Sequence, residues 1–144
     1  MRRTEVDEWF WQVGADLHLL SEEMSRGGPV LAARKCWQPR VDVVEEIDRL
    51  VIRAEIAGMR GEDIQLAYLP ERHSVMIRGS RQDADGEDGR RVRIYQLEIY
   101  HGEFEREVGL PSIEIDATDI RAHYRNGFLT ISLPKQERES GPRS

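Results

Sequence analysis

The sequence predicts an all-β domain, a two-layer antiparallel sandwich, with a helical arm before it and a short polar tail behind it. Three observations carry this. From Trp37 to Lys135, apolar and polar residues alternate at a period of two, in short runs. Turn-forming residues separate the runs, and Asn126-Gly127 is a strong two-residue hairpin signal because both positions accept a positive φ. Ahead of these runs, apolar residues recur at spacings of three and four, the period of a helix.

The arm covers residues 1–35. Val6, Trp9, Phe10, Val13, Leu17, Leu20 and Met24 fall on one helical stripe. Ser21, Gly27, Gly28 and Pro29 punctuate it, and Val30, Leu31 and Ala32 form a second apolar patch. The sandwich covers residues 36–135. Val41 and Val43 flank Asp42, and Leu50, Ile52, Ala54 and Ile56 alternate with Val51, Arg53 and Glu55. Ile64, Leu66 and Tyr68 follow, then Val75 and Ile77, then Val92 and Ile94 alternating with Arg91 and Arg93. Phe104, Val108 and Leu110 share one parity, as do Ile120, Ala122 and Tyr124, and finally Leu129, Ile131 and Leu133. One apolar face per strand is the mark of antiparallel sheets packed on one side. Residues 136–144 read QERESGPRS, have nothing to add to a core, and are expected to be a flexible, solubilising tail.

Composition narrows the function. The 144 residues suit one domain with tails, large enough to bury a core without disulfides or metal. The net charge is −6 and basic residues are interleaved with acids, which argues against nucleic-acid binding. No apolar run is long enough to cross a bilayer, and Met1 to Glu8 lead into no secretory signal, so a cytoplasmic protein is expected. Cys36 is the single cysteine and builds neither a disulfide nor a thiolate metal site. His18, His73, His101 and His123 are scattered, with no metal-binding spacing. The stretch from Gly79 to Gly89 is too acidic, and wrongly placed, to cradle phosphate, and no nucleophile elbow, P-loop or dinucleotide fingerprint occurs. No cofactor, metal or catalytic residue is expected.

A set of motifs follows in order. Trp37-x-Pro39-x-Val41-Asp42-Val43-x-Glu45 opens the sandwich, and Ala54-Glu55-Ile56-Ala57-Gly58 precedes Glu62-Asp63-Ile64. Next come Val75-x-Ile77-x-Gly79-Ser80-Arg81, then Gly102-x-Phe104-x-Arg106 with Leu110-Pro111. Ala122-x-Tyr124-x-Asn126-Gly127-Phe128-Leu129-Thr130-Ile131 runs on to Pro134-Lys135. Over roughly a hundred residues this order resembles the alpha-crystallin domain of the small heat-shock protein family, in its bacterial and plant form. Ala57 stands where many members have proline, and Ser80 where glutamate is usual. The Ile-x-Ile/Val motif that members commonly carry after the domain is not found in QERESGPRS. Ile113-x-Ile115 fits that pattern but precedes the closing hairpin, so it belongs to an interstrand connection.

The resemblance implies an immunoglobulin-like sandwich and a chaperone that holds unfolding proteins without ATP, leaving refolding to ATP-driven chaperones. Other small heat-shock proteins are further candidate partners. Clients would be held by apolar surface on the arm, with Trp9, Phe10, Trp11, Val13, Leu17 and Leu20 as candidates. The alternative for that stripe is packing on its own sandwich or in an oligomer, and sequestration at rest reconciles the two. In relatives a strand after the fifth crosses to the partner subunit. Here it would be Arg91, Val92, Arg93, Ile94 and Tyr95, giving a homodimer by strand exchange, with larger assemblies left open. The alternative is a hairpin within one chain. Arg106 lies on an apolar face, where it either meets an acidic or carbonyl partner near the dimer interface or reaches solvent at the strand edge. Relatives dock tails between the fourth and eighth strands of their domain, a groove that Ile64, Leu66, Ile120, Ala122 and Leu129 would line. Those residues equally suit a plain core. Two other function classes are a co-chaperone-type adaptor sandwich that binds a defined folded partner, which a monomer would favour, and an enzyme on a sandwich scaffold, which would need a pocket of convergent polar groups.

Overall fold

A computed structural model of the chain describes residues 8–12 and 36–137. The described residues form eight strands: β1 Glu8–Gln12, β2 Val41–Glu45, β3 Arg49–Glu55, β4 Ile64–Leu69, β5 Ser74–Arg81, β6 Gly102–Gly109, β7 Arg121–Arg125 and β8 Phe128–Pro134. They make two antiparallel layers, a five-stranded sheet in the order β1-β7-β8-β3-β2 and a three-stranded sheet in the order β4-β5-β6.

The period-two runs become the inner faces of these layers. On the larger sheet the register sets Leu50 opposite Leu133, Ile52 opposite Ile131 and Ala54 opposite Leu129, and all six side chains are buried. On the smaller sheet Leu66 faces Ile77, and Val75 faces Val108, again buried. Each large apolar side chain removed from water stabilises the fold by about 1.5–3 kcal/mol. A one-residue slip of any strand would turn these faces outward, so the core fixes the register.

One turn and one strand position show why particular residues were needed. Asn126 and Gly127 have φ of 54° and 82°, so the β7–β8 hairpin takes the turn that this pair favours. Gly79 lies opposite Phe104, and a Cβ there would sit 2.7 Å from the Phe104 ring. The missing side chain is what lets that ring lie flat on the strand. Ile115 is buried in the β6–β7 connection and bridges to Lys135, which is the interstrand placement expected for Ile113-x-Ile115.

Of the arm, only Glu8–Gln12 is described: it is a strand and pairs antiparallel with β7 in the register Trp9–Tyr124 and Trp11–Ala122. Aromatic residues suit the pleated surface, and a strand laid on the otherwise open β7 edge gains a ladder of backbone hydrogen bonds. The rest of the helical stripe, Val6 and Val13 to Met24, lies outside the described residues, as does the tail beyond Glu137.

Candidate functional site

The connection between β5 and β6 is where the chain departs from a closed sandwich. It begins with a short 3-10 turn, Ala84–Glu87, capped by the Asp83 carboxylate, which accepts from the Gly86 amide at 3.2 Å. The same carboxylate pairs with Arg91 at 3.0 Å. Beyond Arg91 the chain continues without strand partners, and among the described residues none from Arg91 to Ile99 makes a backbone–backbone hydrogen bond. Val92 is 93% exposed and Tyr95 87%, and Ile94, Leu97, Ile99 and Tyr100 are exposed as well. Among the described residues, the predicted strand Arg91 to Tyr95 therefore has no ladder partner within the chain.

The far end of this segment is held tightly. Arg81 Nε donates to the Tyr100 carbonyl at 3.1 Å, Nη2 donates to the same oxygen, and Nη1 donates to the Ala57 carbonyl at 2.9 Å. The guanidinium lies 4.4 Å from the centre of the Trp37 ring, a cation–π distance. Trp37 stacks on Tyr100 with 6.0 Å between ring centres and packs at 5.0 Å against Phe104. Its backbone runs along the outer edge of β6, donating to Glu103 at 3.1 Å and accepting from Glu105 at 3.0 Å. Sequence reasoning missed this cluster, although Trp37 and Arg81 stood in quoted motifs.

Among the described residues, β2 forms the open end of the larger sheet. It carries half-exposed Val43 and Val44, with Asp42, Glu45 and Glu46 around them, and Ile47 beyond is 95% exposed. Arg106 has found a carbonyl partner. Its Nη1 donates to Pro39 at 3.0 Å, so this half-buried arginine ties β6 to the segment entering β2.

Ile64 and Leu66 lie on β4, Ala122 on β7 with Ile120 just before it, and Leu129 on β8, and all five are buried core residues. β1 runs beside them, along β7 and against the Gly61–Asp63 turn that leads into β4. Trp9, Phe10 and Trp11 lie on that strand, while Val13, Leu17 and Leu20 are outside the described residues. Tyr124 closes the same end of the core. Its hydroxyl donates to the Ile56 carbonyl and accepts from the Met59 amide at 3.2 Å. Burial raises its pKa above the usual tyrosine value, while the Met59 amide and the charge of Arg81 pull the other way. Among the described residues no group of three or more His, Cys, Asp or Glu side chains could hold a metal, and no helix is long and apolar enough to cross a membrane.

A two-layer antiparallel sandwich with a segment strapped along β6 and an unpaired, apolar stretch between β5 and β6 defines a protein of the alpha-crystallin-domain type. The sequence profile of the Hsp20/alpha crystallin family matches residues 42–144, and the chain belongs to that family. It is 31% identical to Heat shock protein 16 of Schizosaccharomyces pombe over 102 residues, covering 69% of this chain and 68% of the relative. It is 32% identical over 100 residues to Heat shock protein 42 of Saccharomyces cerevisiae, covering 69% of this chain and 26% of that protein. The match to Small heat shock protein C2 of Rickettsia felis is 29% identical over 99 residues, covering 69% of this chain and 61% of the relative. The chain thus spans less than two thirds of these last two relatives. Among solved structures, hspA from Xanthomonas axonopodis is 32% identical with a TM-score of 0.60, covering 71% of this chain and 97% of the other. A small heat-shock protein from Xylella fastidiosa is 30% identical with a TM-score of 0.61, covering 76% and 96%. Family membership supports a chaperone role.

Proposed function

We propose that this chain is an ATP-independent holdase, a dimer whose subunits exchange the segment around Arg91 to Tyr95 and whose N-terminal arm holds unfolding proteins. The observation that carries the proposal is the unpaired apolar stretch from Val92 to Tyr100. A folded sandwich that leaves six large apolar residues of one extended segment in water is built to place them against another chain.

The acceptor we infer is the partner's β2. Its open edge is five residues long, the length of Arg91 to Tyr95. The charges match, because Arg90, Arg91 and Arg93 on the segment would meet Asp42, Glu45 and Glu46 around β2. Val92 and Ile94, two residues apart, share one face of the segment and would lie beside Val41 and Val43, which share one face of β2. Arg106 lies close by through Pro39, which fits a supporting place at the dimer interface.

The pairing of β1 with β7 supports an arm sequestered at rest. An edge strand is held by one ladder only, so it opens more readily than the core strands. Its release would free Trp9, Phe10 and Trp11, and aromatic rings give much contact area at little entropy cost. No reaction is involved, and the acidic surface keeps the loaded complex in solution.

The test is light scattering of a heat-aggregating client, with and without the protein, in the absence of nucleotide. Suppression near equimolar subunits, lost when residues 1–35 are removed, is the expected result. A client that aggregates unhindered at every temperature tried overturns the holdase reading.

A further inference from the structure

The segment between β5 and β6 has its two ends held and its middle free. Asp83 and Arg91 pair near its start, on the surface. Its return end is held by Arg81, which grips the Tyr100 carbonyl through two nitrogens, and by Trp37, which lies under the guanidinium, stacks on Tyr100 and donates its Nε1 to the Gly102 carbonyl at 3.3 Å. The third side of the guanidinium is taken by the Ala57 carbonyl, in the turn that follows β3. Arg81 thus pins the returning chain to two fixed parts of the sandwich, the strap along β6 and the β3–β4 turn. Gly58, with φ of 81°, turns the chain beside the Arg81 stem, 3.7 Å from where a Cβ would sit.

We propose that Arg81 is the positioning residue for strand exchange: by fixing Tyr100 it sets the point and direction from which Arg91 to Tyr95 reach the partner. The proposal rests on the exchange reading above. An unanchored loop would sample many directions, and dimerisation would have to remove that freedom. A loop whose root is fixed presents its strand already aimed. The residue type follows from the same geometry. Only arginine has a planar fork that holds one carbonyl with two donors while its face stacks on an indole. Lysine keeps a cation over the ring but loses the fork.

The experiment measures the dimer dissociation constant of the full chain by sedimentation, well below the melting temperature, with the fold of each variant checked by near-ultraviolet circular dichroism. Four proteins are compared: wild type, Arg81→Ala, Arg81→Lys and the double variant Val92→Asp/Ile94→Asp. Arg81→Ala is expected to weaken the dimer by about tenfold or more, and Arg81→Lys by about threefold. If either folded Arg81 variant dimerises as tightly as wild type, the positioning role is overturned. Should the alanine variant fail to fold, the lysine variant decides alone on the same criterion. The double variant keeps the two proposals apart. Its dissociation into monomers with Arg81→Ala still tightly dimeric removes only the role of Arg81, whereas a double variant that dimerises like wild type removes strand exchange itself.

Discussion

The Arg106 guanidinium donates to the Pro39 carbonyl across 3.0 Å, linking the middle of β6 to the segment that leads into β2. A charged donor on a neutral acceptor, half-buried on the face that Arg106 shares with Phe104 and Val108, contributes more than a solvated pair. Replacing Arg106 with alanine leaves the Pro39 carbonyl without this partner. We expect Arg106→Ala to lower stability by about 1–2 kcal/mol in denaturant melts, and to shift mass toward monomer in sedimentation. Unchanged mass and unchanged melting would remove both roles.

Tyr124 carries the second prediction. Its hydroxyl joins the Ile56 carbonyl and the Met59 amide, two groups on the chain leaving β3. Tyr124→Phe leaves both without that partner and should cost about 1–3 kcal/mol. The pH dependence has a definite sign. Burial raises the Tyr124 pKa in the folded protein above its ordinary value of 10.0. The contribution is therefore complete below that ordinary value and is lost as pH rises through the higher folded value. In an alkaline titration followed by tyrosine absorbance, wild type should show a late component that shrinks in Tyr124→Phe. Two superimposable titrations would contradict the assignment.

How much of this was legible in the residues depended on how far the cause lay from the residue. Leu50, Ile52 and Ala54 announced an inner face because a strand's period is local, and Asn126-Gly127 announced its hairpin for the same reason. The strand pairing of Glu8–Gln12 was not legible, because an open β7 edge offers backbone partners that no local spacing reveals. Arg81, Trp37 and Tyr100 are far apart in sequence, and only the fold brings the fork, the indole and the carbonyl together. The stretch from Arg91 to Tyr95 was readable as a strand, yet how far the exposed apolar run continues beyond it, to Tyr100, became visible only once the two sheets were laid out.

Gly79 gives a prediction about packing. A Cβ there would sit 2.7 Å from the Phe104 ring and 3.0 Å from the Asp63 carbonyl oxygen. Phe104 is 1% exposed, so the ring has nowhere to go without disturbing the core. Gly79→Ala should destabilise the domain by about 1–3 kcal/mol, a cost of overpacking. Adding Phe104→Leu, which makes room for the methyl, should recover part of the loss that Gly79→Ala causes in the wild-type core. Thermal melts of both single variants and the double variant form the cycle. Strictly additive losses would show that the two residues do not press on each other.

The last prediction concerns the arm. Trp9, Phe10 and Trp11 lie on a strand that adds to the edge of the larger sheet. The sandwich core of β3, β4, β5, β6, β7 and β8 is closed by its own apolar faces, so the aromatic run should be dispensable for folding. Substituting all three with serine lowers strand propensity and removes the large rings. The melting temperature of the domain should change little. Amide exchange across Arg121 to Arg125 should speed up, because the outer side of β7 loses its cover. Protection of a heat-aggregating client should fall toward that of a chain without residues 1–35. If client protection survives the triple substitution intact, the holding surface lies elsewhere, and the exposed stretch from Val92 to Tyr100 becomes the place to look for it.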